Sequence, residues 1–384
     1  MSRLLPFLVP VATGLIMASC AGSSADTQLT RSGLDPQKFI KEVNGKTTNL
    51  YTLKNEAGME VCVTNFGGRI VSIMAPDAKG EFRDVVLGFD SIDAYLPQNN
   101  LSDFGAAIGR YANRIAGGRM VIDGDTIQLP QNDGPNCLHG GPTGWQYQVY
   151  DVKEANDTSL TLVMNSPDGD NNFPGNLTAE VTYTLTPDNR ININYSATTD
   201  KPTVINMTNH SYFNLNGDAS TTILDNILTI NADRFTPVDS LLITTGEFAD
   251  VADTPLDFRT PHVVGERISM VEYDQIARGN GYDHNWVLNT AGDATVPAAT
   301  LYSPATGIQL DVYTNEPGIQ VYSGNFLNGT VTGKGGIKYQ QRAGICLETQ
   351  HYPDGPNKPQ WPSVILRPGE KYESFCSFAF STKN

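Results

Sequence analysis

Hydrophobic and polar residues alternate along much of the chain, as they do in β-strands that have one packed face and one wet face. Residues 180–185 and 191–197 show the alternation most clearly, and the turn sequence Pro187-Asp188-Asn189 lies between them. This combination predicts a β-hairpin. Few segments have the period of a helix, so the pattern favours an all-β chain.

Similar strand-like runs continue to the C-terminus. We expect further strands at residues 50–53, 59–65, 70–74, 85–89, 148–153, 159–165, 204–215, 223–230, 241–246, 299–303, 308–314, 320–326, 344–349 and 372–381, and one short helical turn at residues 263–268. No linker-like change of composition and no internal repeat interrupts residues 39–384. Because β-sandwiches often form long single domains, we predict one large, mostly antiparallel β-sandwich over residues 39–384.

The predicted strand at residues 204–215 has unusual polar positions. It carries short hydrogen-bonding groups where a wet strand face usually has Lys and Glu, namely Asn206, Thr208, Asn209 and His210. An imidazole flanked by amides, hydroxyls and aromatic rings suits a sugar pocket, because it can move a proton near neutral pH. Taken alone, the stretch fits a hydrogen-bonded core histidine better, and other segments must decide between the two interpretations.

The first residues predict an export signal. Residues 3–17 begin with one arginine and continue as an apolar stretch that is short for a membrane span. The sequence Met17-Ala18-Ser19-Cys20 is similar to a bacterial lipobox, in which the signal is cut before a cysteine that is then lipidated. We expect residues 1–20 to be a lipoprotein signal peptide and residues 21–38 to be a flexible tether anchored by a lipid on Cys20.

A plain secretory leader with an incidental Cys20 is the alternative. Either interpretation predicts a chain that is exported to the periplasmic side or the cell envelope. The sequence does not distinguish the inner membrane from the outer membrane.

The charge balance narrows the range of partners. The chain has 41 acidic and 26 basic residues among 384, a net charge of −15. Such a charge repels nucleic acid, and a phosphorylated substrate would need a cluster of Arg or Lys. We therefore expect a neutral small molecule as the ligand. We also expect a monomer rather than an oligomer, although the charge does not decide this. An acidic exported protein is also compatible with a bound Ca²⁺, although the sequence does not specify one.

The cysteines that follow Cys20 do not predict a metal site. They are Cys62, Cys137, Cys346 and Cys376, and their spacing matches no metal-binding motif. An export compartment permits a disulfide, but the sequence indicates no pairing. We expect buried thiols, because Cys62 and Cys346 lie in apolar, strand-like runs.

Six segments, taken in order, resemble the aldose 1-epimerase (galactose mutarotase) family. They are Asn113-Arg114, His139-Gly140-Gly141, residues 209–215, Tyr282-Asp283-His284-Asn285, Pro317-Gly318-Ile319-Gln320 and Leu347-Glu348-Thr349-Gln350. The similarity covers nearly the whole chain after the leader. It implies a large twisted β-sandwich, called a supersandwich, and an isomerase that interconverts the α and β anomers of free hexoses without a required cofactor.

The resemblance also implies roles for individual residues. Ring opening removes a proton from the C1 hydroxyl and adds one to the ring oxygen, so a base and an acid must flank these atoms. By resemblance, Glu348 is the base and His210 is the acid. Glu348 lies in an apolar run, where desolvation raises the pKa of a carboxyl group. His210 must be protonated near neutral pH, and a nearby carboxylate would favour that form.

The remaining family positions imply substrate binding. Arg114 corresponds to the cation that binds sugar hydroxyls, and His139 corresponds to a second imidazole near the ring oxygen or on the C1 side. The other implied binding residues are Asn113, Tyr212, Asp283 and Gln320. Each has an ordinary alternative: a surface acid for Glu348, a salt bridge for Arg114, a loop histidine for His139 and a turn residue for Asp283. Aromatic residues in strands, including Tyr212, Phe213 and Trp286, are usually core residues.

Three other functions compete with this prediction. A hydrolytic metalloenzyme could use His139, His210, His284 and His351, although the chain has no HExxH motif. A non-catalytic sugar-binding lipoprotein would need neither an acid nor a base. A hexose-6-phosphate epimerase would need additional basic residues around the pocket. The sequence does not indicate which sugar is preferred.

Overall fold

Antiparallel sheets dominate the architecture of the computed structural model, which describes residue 1 and residues 28–383. The largest sheet has nine strands in the spatial order Asp151–Ala155, Ser159–Ser166, Leu177–Leu185, Arg190–Thr199, Tyr372–Thr382, Ile308–Thr314, Ala299–Tyr302, Ile227–Ile230 and His262–Val263. The predicted hairpin is confirmed, because residues 177–185 pair with residues 191–199 in continuous antiparallel register.

A six-stranded sheet packs against the nine-stranded sheet. Its strands, in spatial order, are Tyr212–Phe213, Ile345–Gln350, Gly318–Tyr322, Asp283–Val287, Arg234–Thr236 and Ala249–Asp250. The apolar faces of the two sheets form one buried cluster, in which the rings of Phe213 and Phe378 lie 4.9 Å apart. Burial of apolar area between two sheets is the main stabilising contribution in such a sandwich.

Smaller elements surround the two large sheets. A four-stranded sheet contains Leu50–Lys54, Glu60–Thr64, Arg69–Pro76 and Phe82–Asp84. The two-stranded pairs are Lys41–Val43 with Lys46–Thr48, Arg119–Ile122 with Asp125–Gln128, Arg114–Ile115 with Cys137–Leu138, Thr203–Val204 with Ile365–Leu366, and Ala107–Ile108 with Thr208–Asn209. This strand content confirms the predicted all-β, mostly antiparallel fold.

Helices in the described part of the chain are short. The α-helices are Ile92–Tyr95 and Asp274–Gly279, and the 3₁₀ turns are Pro36–Phe39, Ala116–Gly118, Trp145–Tyr147, Asp170–Asn172, Val264–Glu266, Lys334–Gly336 and Gly355–Asn357. The turn at Val264–Glu266 lies within the segment for which the sequence predicts one helical turn. None of the helices in residues 28–383 is long and apolar enough to cross a membrane.

The prediction of one continuous strand over residues 204–215 is wrong. The segment instead contributes three two-residue strands, Thr203–Val204, Thr208–Asn209 and Tyr212–Phe213, to three different sheets. Asparagine side chains explain the breaks, because they take up main-chain groups that a continuous ladder would use. The Asn206 amide bonds the main chain of His351, and the Asn209 amide donates to the carbonyl of Gly105.

Two other predicted strands are also wrong. Residues 85–89 are buried as expected, but they form only an isolated bridge between Val86 and Phe213. Residues 241–246 form a turn in which the Asp239 carboxylate accepts hydrogen bonds from the backbone of Leu241 and Ile243. A side chain that bonds its own backbone in this way favours a turn over a strand.

The N-terminal predictions fall on residues that the structure does not describe. The signal peptide, Cys20 and most of the tether lie outside residues 28–383, so the division into residues 1–20, 21–38 and 39–384 stays a prediction. Within the described residues, Cys62, Cys137, Cys346 and Cys376 are buried free thiols.

Candidate active site

A polar cavity of about 180 Å³ lies at the open face of the six-stranded sheet. All eight residues to which the sequence assigned catalytic or binding roles line it, namely Asn113, Arg114, His139, His210, Tyr212, Asp283, Gln320 and Glu348. They come from six separate parts of the chain. The fold therefore brings the predicted residues together in one place.

Strand alternation points Glu348 into the cavity. In the strand Ile345–Gln350, Ile345 and Leu347 face the core between the sheets, so Glu348 faces the opposite side. Glu348 is only 2% exposed, and its Oε2 atom has no hydrogen-bond partner. Burial, and then the negative charges of Asp283 and Asp103, raise the pKa of the Glu348 carboxyl well above its ordinary value. This is the direction that the apolar sequence context predicted.

The edge strand of the same sheet places His210 beside Glu348. Tyr212 pairs with Cys346, two residues before Glu348, and the Nε2 atom of His210 lies 3.6 Å from Oε1 of Glu348. The main chain of His210 is fixed on both sides by hydrogen bonds, since its N–H donates to Ala106 O at 2.9 Å and its carbonyl accepts from Gly105 N at 3.0 Å. The imidazole stacks on the Tyr212 ring at 5.1 Å.

Burial lowers the pKa of His210, whereas nearby carboxylates are expected to raise it. Desolvation lowers the pKa of the His210 imidazole below its ordinary value, although the charge of Asp103 partly opposes this effect. The expectation that a carboxylate would keep His210 protonated is therefore incomplete. Carboxylates are present, but the effect of desolvation on the pKa of His210 is larger than theirs.

His139 is held as a neutral hydrogen-bond donor. Its Nδ1 atom accepts a hydrogen bond from the N–H of Asn113 at 3.2 Å, so the ring hydrogen of the neutral form lies on Nε2. Burial lowers the pKa of His139 to about 3. The backbones of Asn113 and His139 are both left-handed, with φ of +65° and +49°. Backbone strain of this kind is concentrated at functional sites, where the surrounding structure holds it in place.

Arg114 is the single Arg or Lys among the described residues that line the cavity. Its Nε atom donates to Oδ2 of Asp133 at 2.7 Å, which orients the guanidinium group and leaves its remaining donors available. Both interpretations of Arg114 are therefore correct, since its Nε atom forms a salt bridge with Asp133 and the residue also lines the cavity.

A second polar pair lies across the sheet from the histidines. Gln320 is opposite Glu348 in the strand register, and its Nε2 atom donates to Oδ1 of Asp283 at 2.7 Å. The Oε1 atom of Gln320 is buried and has no partner. Burial raises the pKa of Asp283. The pair can therefore offer both acceptor oxygens and an orienting amide to the hydroxyl groups of a ligand.

Sequence reasoning missed four residues that line the cavity: Asp103, Leu138, Tyr322 and Phe326. Phe326 is 61% exposed, and its ring stacks on Tyr322 at 6.3 Å. An exposed phenylalanine at the mouth of a polar cavity is a recognisable binding feature only when the fold is known. Of the aromatic residues weighed as platforms, Tyr212 lines the cavity, whereas Phe213 and Trp286 belong to the core.

The side-chain geometry does not favour a metal centre. Within the described residues, the groups of three potential ligands are Asp103–His139–His210 and His210–Cys346–Glu348, so His284 and His351 belong to neither. In the first group, the hydrogen on Nε2 of His139 leaves no free lone pair toward the cavity. In the second group, burial raises the pKa of the Cys346 thiol well above its ordinary value, which disfavours the thiolate that a metal requires.

The fold and the cavity define a class of protein, namely an all-β protein with a buried carboxyl–imidazole pair in a polar cavity. Comparison with known proteins specifies the family. The sequence profile described as aldose 1-epimerase matches residues 49–379. The chain is 42% identical to the aldose 1-epimerase of Escherichia coli K12 over 339 residues, which cover 88% of this chain and 96% of that protein. It is 41% identical to human galactose mutarotase over 338 residues, with 88% and 95% coverage.

Solved structures agree with this assignment. A galactose 1-epimerase from Lactobacillus acidophilus has a TM-score of 0.78 and 32% identity, with 90% of this chain and 97% of that chain covered. An aldose epimerase homologue from Caenorhabditis elegans has a TM-score of 0.79 and 30% identity, with 88% and 100% coverage. The chain therefore belongs to the aldose 1-epimerase family, and it is an isomerase that interconverts sugar anomers.

Proposed function

We propose that this protein interconverts the α and β anomers of free hexoses, such as glucose and galactose, with Glu348 as the base and His210 as the acid. The observation that carries the proposal is the 3.6 Å separation of His210 Nε2 and Glu348 Oε1 in the polar cavity. Glu348 removes the proton of the C1 hydroxyl while His210 protonates the ring oxygen, and the C1–O5 bond breaks to give the open aldehyde. Rotation about C1–C2 and the reverse proton transfers close the ring on the other face.

One proton, shared by the pair, is sufficient for this cycle. It lies on His210 before the ring opens and on Glu348 while the sugar is open. Burial raises the pKa of Glu348 and lowers that of His210, so it shifts the proton toward Glu348, as in the arrangement that accompanies the open sugar. A group that stabilises the imidazolium form of His210 would therefore help the reaction to begin.

The surrounding side chains can hold the sugar. Arg114 can polarise an oxygen on which negative charge develops, and the Nε2–H of His139 can donate to another oxygen. Asp283 and Gln320 can bind hydroxyl groups through the oxygens that face the cavity. Phe326 can cover the apolar face of a hexose at the mouth.

Charge favours a neutral sugar over a sugar phosphate. The described residues of the cavity include three carboxyl groups, those of Asp103, Asp283 and Glu348, but only one Arg or Lys, Arg114, which is already paired with Asp133. A phosphate group would meet repulsion that this single guanidinium does not offset. We therefore expect glucose 6-phosphate to be a poor substrate.

Polarimetry of freshly dissolved α-glucose and α-galactose tests the proposal directly. The protein should accelerate the approach to anomeric equilibrium, and the same assay with xylose and glucose 6-phosphate would define the preferred substrate. Binding of a hexose without any acceleration would indicate the competing function, a carbohydrate-binding lipoprotein. That alternative leaves the paired acid and base unexplained, because binding requires neither.

We also propose that the enzyme works outside the cytoplasm as a lipid-anchored monomer. The lipobox-like sequence that ends at Cys20 and the polar segment after it support the anchor. Fractionation of cells that produce the wild type and Cys20→Ser tests this proposal. The wild type should sediment with membranes and incorporate labelled fatty acid, and the variant should do neither. Equal distribution of the two proteins would refute the anchor.

A further inference from the structure

Asp103 is a carboxylate in the cavity that the proposed chemistry does not use. Its Oδ1 atom is buried and has no hydrogen-bond partner. A carboxylate oxygen of Asp103 and one ring nitrogen each of His139 and His210 all lie within 4.8 Å of one another, and Glu348 is not part of this group. A buried carboxylate oxygen without a partner is costly, so its retention calls for an explanation.

The loop that carries Asp103 is rigidly built. The buried Arg69 guanidinium donates to the carbonyls of Ser102 and Phe104, on either side of Asp103, at 3.0 Å and 2.9 Å. Gly105 then bonds the carbonyl of His210 and also accepts a hydrogen bond from Ile70 N. Asp103 and His210 are therefore fixed to the same main-chain hydrogen bonds, which sets the distance between their side chains.

The close approach at Gly105 requires glycine. Its φ is +69°, and a Cβ atom there would lie 1.9 Å from the carbonyl oxygen of Ile70. Gly105 follows Asp103 by two residues and donates a hydrogen bond to the carbonyl of His210, so the position that requires glycine links the two residues. The position of the Asp103 carboxylate in the cavity wall is thus fixed by the surrounding main chain.

We propose that Asp103 is a positioning residue for the anomer interconversion, whose carboxylate is the counter-charge that lets His210 carry the catalytic proton. The inference rests on the proposed function and adds a third ionisable group to it. An opposite charge at 4–6 Å stabilises the charged form of a buried group. The negative charge of Asp103 also raises the pKa of Glu348, but Asp103 lies within 4.8 Å of His210 in a group that does not include Glu348. It therefore stabilises the imidazolium more than it disfavours the Glu348 carboxylate.

The other groups around His210 do not perform this role. Those that face the imidazole are His139, Tyr212, Tyr322, Cys346 and Glu348, and the charge of Arg69 acts on it from behind the loop. His139 is neutral, the hydroxyl and thiol groups are neutral, and Arg69 repels a second positive charge. Glu348 must give up its negative charge during the reaction. Asp103 is the remaining carboxylate near His210, and the proposed proton transfers do not involve it.

The test compares Asp103→Asn, Asp103→Glu and the wild type in two measurements. The first is the pH dependence of kcat/KM for mutarotation. Removal of the negative charge should move the alkaline limb toward lower pH by about one unit and lower kcat about 10-fold or more, with a smaller change in KM. Asp103→Glu should restore part of both. A raised KM together with an unchanged pH profile of kcat/KM would overturn the inference and make Asp103 a sugar-binding residue.

The second measurement is an NMR titration of the histidine rings without sugar, with the His210 signal assigned by its loss in His210→Asn. The pKa of His210 should fall further in Asp103→Asn than in the wild type. This readout does not depend on activity, so it separates failure of the inference from failure of the proposed function. An unchanged His210 titration would overturn the inference even if the enzyme is active.

Ser102→Ala is the matched control for damage to the loop. The Ser102 Oγ atom is buried without a partner, so its removal breaks no hydrogen bond in the loop. Both pH limbs and the His210 titration should match the wild type. If Ser102→Ala shifted them as Asp103→Asn does, the effect would belong to the loop conformation and the inference would fail.

Discussion

His210 Nε2 lies 3.6 Å from Glu348 Oε1, although the two residues are far apart in the sequence. One strand pairing produces this contact, since Tyr212 is opposite Cys346, and each of the two catalytic candidates lies two residues from this pair. A slip of the edge strand by one residue would turn Tyr212 toward the core and take His210 away from Glu348. The register of the edge strand is therefore as important for the site as the identity of the two side chains.

Glu348→Gln and His210→Asn should each lose most of the rate acceleration. Both substitutions are close in size to the native residue, but neither new side chain can exchange a proton near neutral pH. We expect kcat for α-glucose mutarotation to fall about 10²–10⁴-fold in each variant, followed by polarimetry.

A surface histidine provides the control for that experiment. His262 is partly exposed and pairs with Glu266 at 3.0 Å, at the far edge of the nine-stranded sheet. His262→Asn should keep the wild-type rate. Wild-type activity in Glu348→Gln or in His210→Asn would remove that residue from the mechanism.

Glu348→Gln should also make the folded protein more stable at alkaline pH. Burial raises the pKa of Glu348 in the folded state above its unfolded value, so the folded state binds the proton more tightly. The stabilising contribution of the protonated form is complete below the unfolded pKa and is lost as pH rises toward the folded pKa. The loss is at most about 1.4 kcal/mol per pH unit in that window.

Glutamine has no such dependence. Thermal denaturation at pH 4 and pH 8 should therefore show a difference in Tm between variant and wild type that grows in favour of the variant as pH rises. A difference that stays constant with pH would mean that folding does not raise the pKa of Glu348.

Arg114→Lys should reduce kcat/KM although it keeps the positive charge. The guanidinium donates to Asp133 through Nε at 2.7 Å and has further donors for the sugar, whereas an ammonium group cannot reproduce this planar geometry. Loss of a hydrogen bond to a charged group corresponds to about 1.5–3 kcal/mol, or roughly a 10- to 150-fold reduction in kcat/KM.

Asp133→Asn is the informative companion of that variant. It leaves the guanidinium in place but weakens the contact that orients it, so a smaller reduction is expected in the same steady-state assay. If the lysine variant kept full kcat/KM, a fixed guanidinium would not be required.

The sequence predicted which residues share the cavity better than it predicted the strand boundaries around them. Residues that are far apart in the chain, such as Arg114, His139 and Glu348, line one cavity. The resemblance to a known family made this proximity predictable, because related chains share the fold that brings these residues together. Strand boundaries failed where side chains bond the backbone, as Asn206 and Asn209 do. Alternation cannot reveal such bonds, because it reports burial and not the partner of each main-chain group.

Asp103 shows a different limit of sequence reasoning. It lies in a polar stretch without strand or motif character, and only the hydrogen bonds of Arg69 and Gly105 bring it to the cavity wall. A contact between loops depends on the whole fold. The resemblance implies roles for His210 and Glu348, but it does not point to the carboxylate of Asp103 beside them.

Gly105→Ala should destabilise the protein more than an ordinary glycine substitution in a left-handed turn. At Gly105 the new Cβ atom would meet the carbonyl of Ile70, whereas at Gly80, with φ of +79°, it would have nothing within 4 Å. Gly80→Ala therefore measures the conformational cost alone, about 1–2 kcal/mol. Gly105→Ala should exceed that loss in chemical denaturation and should also lower activity, because the Asp103 loop and His210 share the displaced backbone. Equal losses in the two variants would show that the Ile70 contact relaxes without consequence, and the loop would then be too compliant to fix Asp103 beside His210.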